Sequence, residues 1–209
     1  MAETHCHNPV IFDFETTSLD TRRCQIIQIG ALAPLSNERF EAKIKFDVKA
    51  ADPEALKVNS YKKKVWKREA ISHKKARKRF IKFLKNHTSL KRTSKRGNPY
   101  QVVAGMGHGV AHFDWPILQR WFEDGDLFLP IDRRLYDTTQ LVLWTVLGLE
   151  SYSLSNIAAE LGVARDGAHD AIVDCEMTAD IAAILLKRQG DCPYKWVKRR
   201  LGQIRRRAK

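Results

Sequence analysis

The run Val10-Ile11-Phe12-Asp13-Phe14-Glu15-Thr16-Thr17 reads as a buried strand, yet it carries two carboxylates. Strand side chains alternate faces, so Asp13 and Glu15 point one way, roughly 6.6 Å apart, while Phe12 and Phe14 point the other way into a core. Two like charges side by side are costly to bury unless something cationic neutralises them. Hard divalent cations are the usual partners of such oxygen donors. On this stretch alone two readings stay open. The pair lies on the wet face of an edge strand, or it is half of a cation site that other carboxylates and a base must complete.

A chain of 209 residues is long enough for one domain with a sizeable core. It holds no apolar run of membrane-spanning length. Met1-Ala2-Glu3-Thr4-His5 lacks the basic and apolar regions of a signal peptide. Cys6, Cys24, Cys175 and Cys192 have no metal-finger spacing and read as reduced thiols. The expected location is therefore cytoplasmic, or whichever compartment holds the nucleic acid, and not secreted. A net charge of +13 favours a polyanionic partner, nucleic acid ahead of an anionic membrane surface.

After the first strand, Cys24 to Ala33 and Phe40 to Phe46 read as two more, joined by short connections that imply an antiparallel start to the sheet. Asp47 to Tyr61 reads as a loop with a short helical piece at Pro53-Glu54-Ala55-Leu56. Ala76, Phe80, Phe83 and Leu84 recur at helical spacing within a basic segment spanning 57–98, whose lysines and arginines fill the other faces. That segment is both a solvated helix and a phosphate-tracking surface. Lys91 to Pro99 is turn-rich and is the least ordered internal segment expected. Tyr100 to Ala104 reads as the next strand. Gly105-Met106-Gly107-His108-Gly109 does not match a dinucleotide fingerprint and reads as a loop allowing close backbone approach.

Asp114 lies where the next helix should start, and it either caps that helix or serves a site. Ile131 to Tyr136 is a candidate short strand, followed by a helix from Asp137 to Leu147. Ser153 to Gly162 reads as a capped short helix. Asp170 can cap a helix running to about Lys187, with Ile172, Cys175, Ala179, Ala182 and Leu186 as its buried stripe. Asp174 then sits one turn in, and His169 stands just before the helix. Lys195 to Lys209 is basic with interleaved Trp196, Val197, Leu201 and Ile204, and forms a basic helix or orders on nucleic acid. Trp66 and Trp196 either stack on bases or pack. The expected division is a domain over 1–190 and a basic C-terminal tail over 191–209.

Three features occur in order: Asp13-x-Glu15, then Phe113-Asp114, then His169-x-Ala171-x-x-Asp174. Each is weak alone. Together, from about Val10 to Leu186, they resemble the DEDDh (DnaQ-like) family of 3′→5′ exonucleases, which has a ribonuclease H-like fold. Asp137-Thr138-Thr139-Gln140-Leu141 and Ser153 to Gly162 resemble that family's intervening helices. The implied fold is α/β, with a mixed five-stranded sheet of three antiparallel strands then parallel ones, flanked by helices.

The resemblance implies that Asp13, Glu15, Asp114 and Asp174 ligate two Mg²⁺ or Mn²⁺ ions and that His169 is the general base. It implies that Thr16, Thr17, Leu56, Asn59, Tyr61, His112 and Phe113 lie along the 3′-terminal nucleotide. Val110 stands where relatives often have Asn, which removes a polar contact. The implied activity is hydrolysis from the 3′ end of nucleic acid, DNA more than RNA, releasing 5′-mononucleotides. An exoribonuclease and an inactive nucleic-acid-binding domain are the alternatives. No protein partner is indicated, although a polymerase or another replication or repair protein is compatible with the chemistry.

Overall fold

A computed structural model describes residues 8–146, 148–167, 169–190 and 192–207. The chain opens with strands β1 (Pro9–Thr16), β2 (Ile26–Ala33) and β3 (Glu38–Lys43). Short helices α1 (Pro53–Val58) and α2 (Lys63–Glu69) lead into the longer α3 (His73–Asn86). Then come β4 (Leu90–Thr93), β5 (Pro99–Val102), β6 (Ala104–Gly107), α4 (Asp114–Glu123), β7 (Tyr136–Asp137), α5 (Thr138–Thr145), α6 (Leu154–Glu160), α7 (Ala171–Arg188) and α8 (Lys195–Arg207).

The main sheet has the order β3-β2-β1-β6-β7. β1 runs antiparallel to β2 and β2 to β3, while β1, β6 and β7 are parallel. This is the expected mixed five-stranded sheet. Phe12 and Phe14 face a core shared with Phe40, with Phe80 and Phe83 of α3, and with Ile117 and Phe122 of α4. Ile11, on the opposite face with Asp13, packs with Cys175 and Ala179 of α7 and with Trp196 of α8. The alternation read from β1 is therefore present, and the carboxylates lie on the α7 side.

Several local expectations are corrected. Lys91 to Pro99 is not a free loop: its ends pair as the β4–β5 hairpin, with Lys91 opposite Gln101 and Arg92 opposite Tyr100. An Arg92–Asp132 ion pair pins the hairpin to the body, a contact 40 residues away that no local pattern reveals. The strand expected over Tyr100 to Ala104 splits, since Pro99–Val102 belongs to the hairpin and Ala104–Gly107 to the main sheet. Gly105 and Gly107 thus lie in a strand, not a loop. A Cβ on Gly105 would come within 2.8 Å of Ile131 and Leu135, and one on Gly107 within 2.6 Å of Val110. Ile131 makes a single bridge to Val103, and only Tyr136–Asp137 forms a strand. The following helix ends at Thr145, and Leu147 lies outside the described residues.

Helix α7 buries more than the expected stripe. Cys175, Ala179 and Ala182 meet the sheet, while Met177, Ile181 and Leu185 meet α5 and α6. A third face carries Glu176 and Asp180, both buried. Asp180 accepts from Arg165, Arg200 and Arg207, and Glu176 pairs with Arg39 and Arg165. Helix α8 is therefore packed structure: Trp196 and Val197 are fully buried, and buried Arg200 spans Asp180 and the Glu176 carbonyl. Trp66 is also buried and donates to the Ile27 carbonyl at 3.3 Å. Both tryptophans pack instead of presenting faces to bases.

Removing the Asp180 carboxylate leaves buried Arg200 without its counter-charge. Asp180→Ala should lower the unfolding free energy by about 3–5 kcal/mol in urea denaturation. A loss below about 1 kcal/mol would show that these arginines do not depend on it.

Candidate active site

Three elements converge beside the end of β1. Asp13 and Glu15 stand on β1 opposite Gly30 and Gln28 of β2. A register shift at Glu15/Thr16 ends the regular pairing there. Helix α7 brings Asp174 from its first turn. It can approach because β2 has a glycine beneath it: a Cβ on Gly30 would lie 2.3 Å from the Ala171 backbone. The α7 N-cap, Asp170, accepts from Ile172 N–H at 3.2 Å and from the Gln28 amide at 3.3 Å. Gln28 also donates to Glu41 of β3 at 3.2 Å, so one buried side chain ties the helix start to the sheet.

Ligand oxygens of Asp13, Glu15 and Asp174 all lie within 4.8 Å of one another. Asp114 stands beside this trio. It opens α4 without capping it, and its Oδ1 accepts from the Phe14 N–H at 3.1 Å. Burial is the first cause of high carboxyl pKa values throughout the group. It raises Asp13 well above the usual range, with repulsion from Asp114, Asp174 and Glu15 adding to it. Glu15 is pushed up to about 8 by burial and then by Asp174. Asp114 rises to about 7 although backbone N–H donors oppose the shift. Asp174 rises to about 6, with neighbouring His169 drawing it back down.

The donor set fits a hard divalent cation. It is all oxygen and acidic, and it includes a buried Asp174 Oδ1 that has no hydrogen-bond partner among the described residues. Among the described residues, no lysine or arginine pairs with any of the four carboxylates. His169 is exposed, with a left-handed φ of 65°, on the turn that enters α7.

The other expected residues are spread around this centre. Thr16 ends β1 and Thr17 opens the turn after it; both are buried, and Thr17 Oγ1 accepts from Gln25 N–H at 2.8 Å. Asn59 is brought to the same turn, but its amide is spent on the Thr16 carbonyl at 2.8 Å. Leu56 is half-buried on α1, and Tyr61 packs against Phe46 and Trp66. Phe113 packs on the core while His112 is exposed.

Sequence reading missed three supports. Gln28 is one. Asp137 is another, accepting from Gly109, Ala111 and Thr139 N–H groups and so shaping the loop before Asp114. His108 is the third, placed 2.9 Å from both Thr138 Oγ1 and the Tyr152 carbonyl. With Asp137 holding that loop through its backbone, Val110 is free to be an apolar core residue. The only sequence signal was Asp137-Thr138-Thr139 as a helix start.

Residues 10–182 match the model of the RNase_T family, described as Exonuclease. The chain belongs to this exonuclease family, whose members hydrolyse phosphodiester bonds with divalent metals. No curated protein sequence matches it. Among solved structures it is similar to E. coli exonuclease I in complex with a dA16 oligonucleotide, with a TM-score of 0.66 and 17% identity over 87% of this chain and 41% of that one. The zinc-bound E. coli exonuclease I–single-stranded DNA complex gives a TM-score of 0.67 and 16% identity over the same shares, 87% and 41%. A moderately thermophilic exonuclease I from Methylocaldum szegediense gives 0.64 and 17%, over 92% of this chain and 42% of that one. At these identities the likeness is one of fold, and the chain spans about two-fifths of those structures' length.

Carboxyls that titrate higher in the fold than in the unfolded chain take stability away as pH rises from about 4 through the folded values, which reach about 8 at Glu15. A cation that neutralises them should therefore stabilise most at high pH. The thermal shift given by Mn²⁺ should be larger at pH 8 than at pH 5.5, and Asp13→Asn should raise the metal-free melting temperature at pH 8. An equal or smaller shift at pH 8 would contradict this electrostatic account.

Proposed function

We propose that this chain is a metal-dependent 3′→5′ exonuclease that acts on single-stranded nucleic acid, DNA ahead of RNA, and releases 5′-mononucleotides. The observation that carries the reading is the convergence of Asp13, Glu15 and Asp174, with Asp114 beside them, in a chain of the exonuclease family. The preference for DNA is supported by fold relatives described with dA16 and dT13 oligonucleotides.

Asp13, Glu15, Asp114 and Asp174 would hold two Mg²⁺ or Mn²⁺ ions, with Asp13 central because it feels all three of the others. When bound, such a pair lowers the pKa of water and neutralises charge on the phosphate and the leaving oxygen. The chain itself supplies a rigid shelf and a base. His169 stands at the solvent edge next to Asp174, on the turn before α7, so its ring can lean over the helix start and take a proton from the attacking water. The water oxygen bonds to phosphorus, and the bond to the 3′-oxygen of the preceding nucleotide breaks with its electron pair going to that oxygen. That oxygen takes a proton from solvent to become the new 3′-hydroxyl, and the last nucleotide leaves with its 5′-phosphate. Thr16, Thr17 and Asn59 hold the turn at the end of β1, and Leu56, Tyr61, His112 and Phe113 border the terminal nucleotide.

The test uses 5′-labelled single-stranded DNA and RNA of one sequence, with Mg²⁺ or with EDTA. The expected result is Mg²⁺-dependent shortening from the 3′ end, faster on DNA. Asp13→Ala and Asp174→Ala should each lower the rate by more than about 10³-fold without loss of the folded state. Binding without shortening would defeat the enzymatic reading, and degradation of RNA alone would overturn the DNA preference.

A further inference from the structure

The β4–β5 hairpin and the 127–134 segment form the walls of a groove of about 560 Å³ along the outer side of α4. None of its lining residues is a candidate metal ligand or base. Trp115, next to Asp114, lines it at one end of the helix and Glu123 at the other, about 12 Å further on. The groove thus leads away from the carboxylates along α4.

Each wall brings one ring and one unengaged cation. The hairpin side has Tyr100 and Lys95; the other side has Phe128 and Arg133. Tyr100 and Phe128 meet edge to face at 5.7 Å, and Phe128 stays 64% exposed. Rings that large are normally buried, and an exposed one in a groove offers a stacking face. Lys95 and Arg133 are exposed and make no ion pair among the described residues. Of the two carboxylates in the lining, Asp132 is already held by Arg92 and Arg134, which leaves the rim positive.

Aromatic faces between cations match a polymer that alternates flat bases with phosphates. We propose that this groove binds the single strand upstream of the scissile end, with a base on Phe128 and Tyr100 and flanking phosphates on Lys95 and Arg133. The proposal rests on the exonuclease reading for its polarity alone; the binding chemistry stands without hydrolysis. The contacts read neither base sequence nor sugar, so they add affinity for long strands of either kind.

The test pairs Phe128→Ala with Arg133→Glu in the full chain and compares single strands of about 4 and about 20 nucleotides, lengths that bracket typical groove sites. With Mg²⁺, KM for the long strand should rise on the order of tenfold while kcat and the short-strand KM hold. In EDTA, equilibrium binding of the long strand should weaken on the order of tenfold, and its salt slope should fall by about 1 for the lost phosphate contact. The EDTA arm needs no catalysis, so an inactive protein would sink the exonuclease reading and leave the groove still tested. Unchanged long-strand affinity, or an equal loss on the short strand, would overturn the proposal. So would an acidic peptide that occupies the groove without competing with the long strand.

Discussion

Repulsion among four carboxylates at the end of one strand is the constraint on which the rest of the structure depends. Asp13, Glu15 and Asp174 lie close enough to share a cation, and with Glu15 and Asp174 buried and Asp13 half-buried little water is left to screen them. Such a cluster stays together only if the elements carrying it are held by contacts made elsewhere. Gly30 lets α7 lie flush on β2. Gln28 fixes the α7 cap, and the Phe14 N–H holds Asp114. The arginines around Asp180 brace the far side of α7 through α8 and the segment before His169. The cost of gathering the charges is thus offset by packing and hydrogen bonds that never touch substrate, an arrangement typical of preorganised sites.

The excess positive charge is divided between two uses. Arg200 and Arg207 of the basic C-terminal helix, with Arg165 from the segment before α7, are engaged by Asp180, so these arginines serve the fold. Lysines of α3 and cations of the hairpin groove remain exposed. A uniform basic surface would attract nucleic acid without orienting it. Separating structural arginines from free ones, with exposed rings among the latter, gives a strand a defined path.

What the sequence revealed follows the range of the forces involved. β1 to β3, α3, α6 and the start of α7 were legible because period, caps and alternation act within a few residues. The convergence of Asp13, Glu15 and Asp174 was foreshadowed only by the ordered set of motifs that resembles the DEDDh family, since each motif alone reads equally as a wet strand edge or an ordinary helix start. The hairpin was not, since polar Lys91 to Pro99 depends on the distant Arg92–Asp132 pair. Nor was the packing of α8, because a buried arginine looks the same in sequence as an exposed one until Asp180 is placed beside it. Gln28 escaped notice because its role comes from cross-strand register, bringing it to Asp170 across 142 positions of chain.

The central claim is that these four carboxylates together form one centre for a pair of divalent cations. The most direct measurement is an electron paramagnetic resonance titration of the intact, metal-stripped chain with Mn²⁺, which counts bound ions from loss of the free-ion signal. The account predicts two Mn²⁺ per chain, with binding lost when Asp13 and Asp174 are both replaced by asparagine. No binding by the wild-type chain, or binding that survives the double replacement, would contradict it.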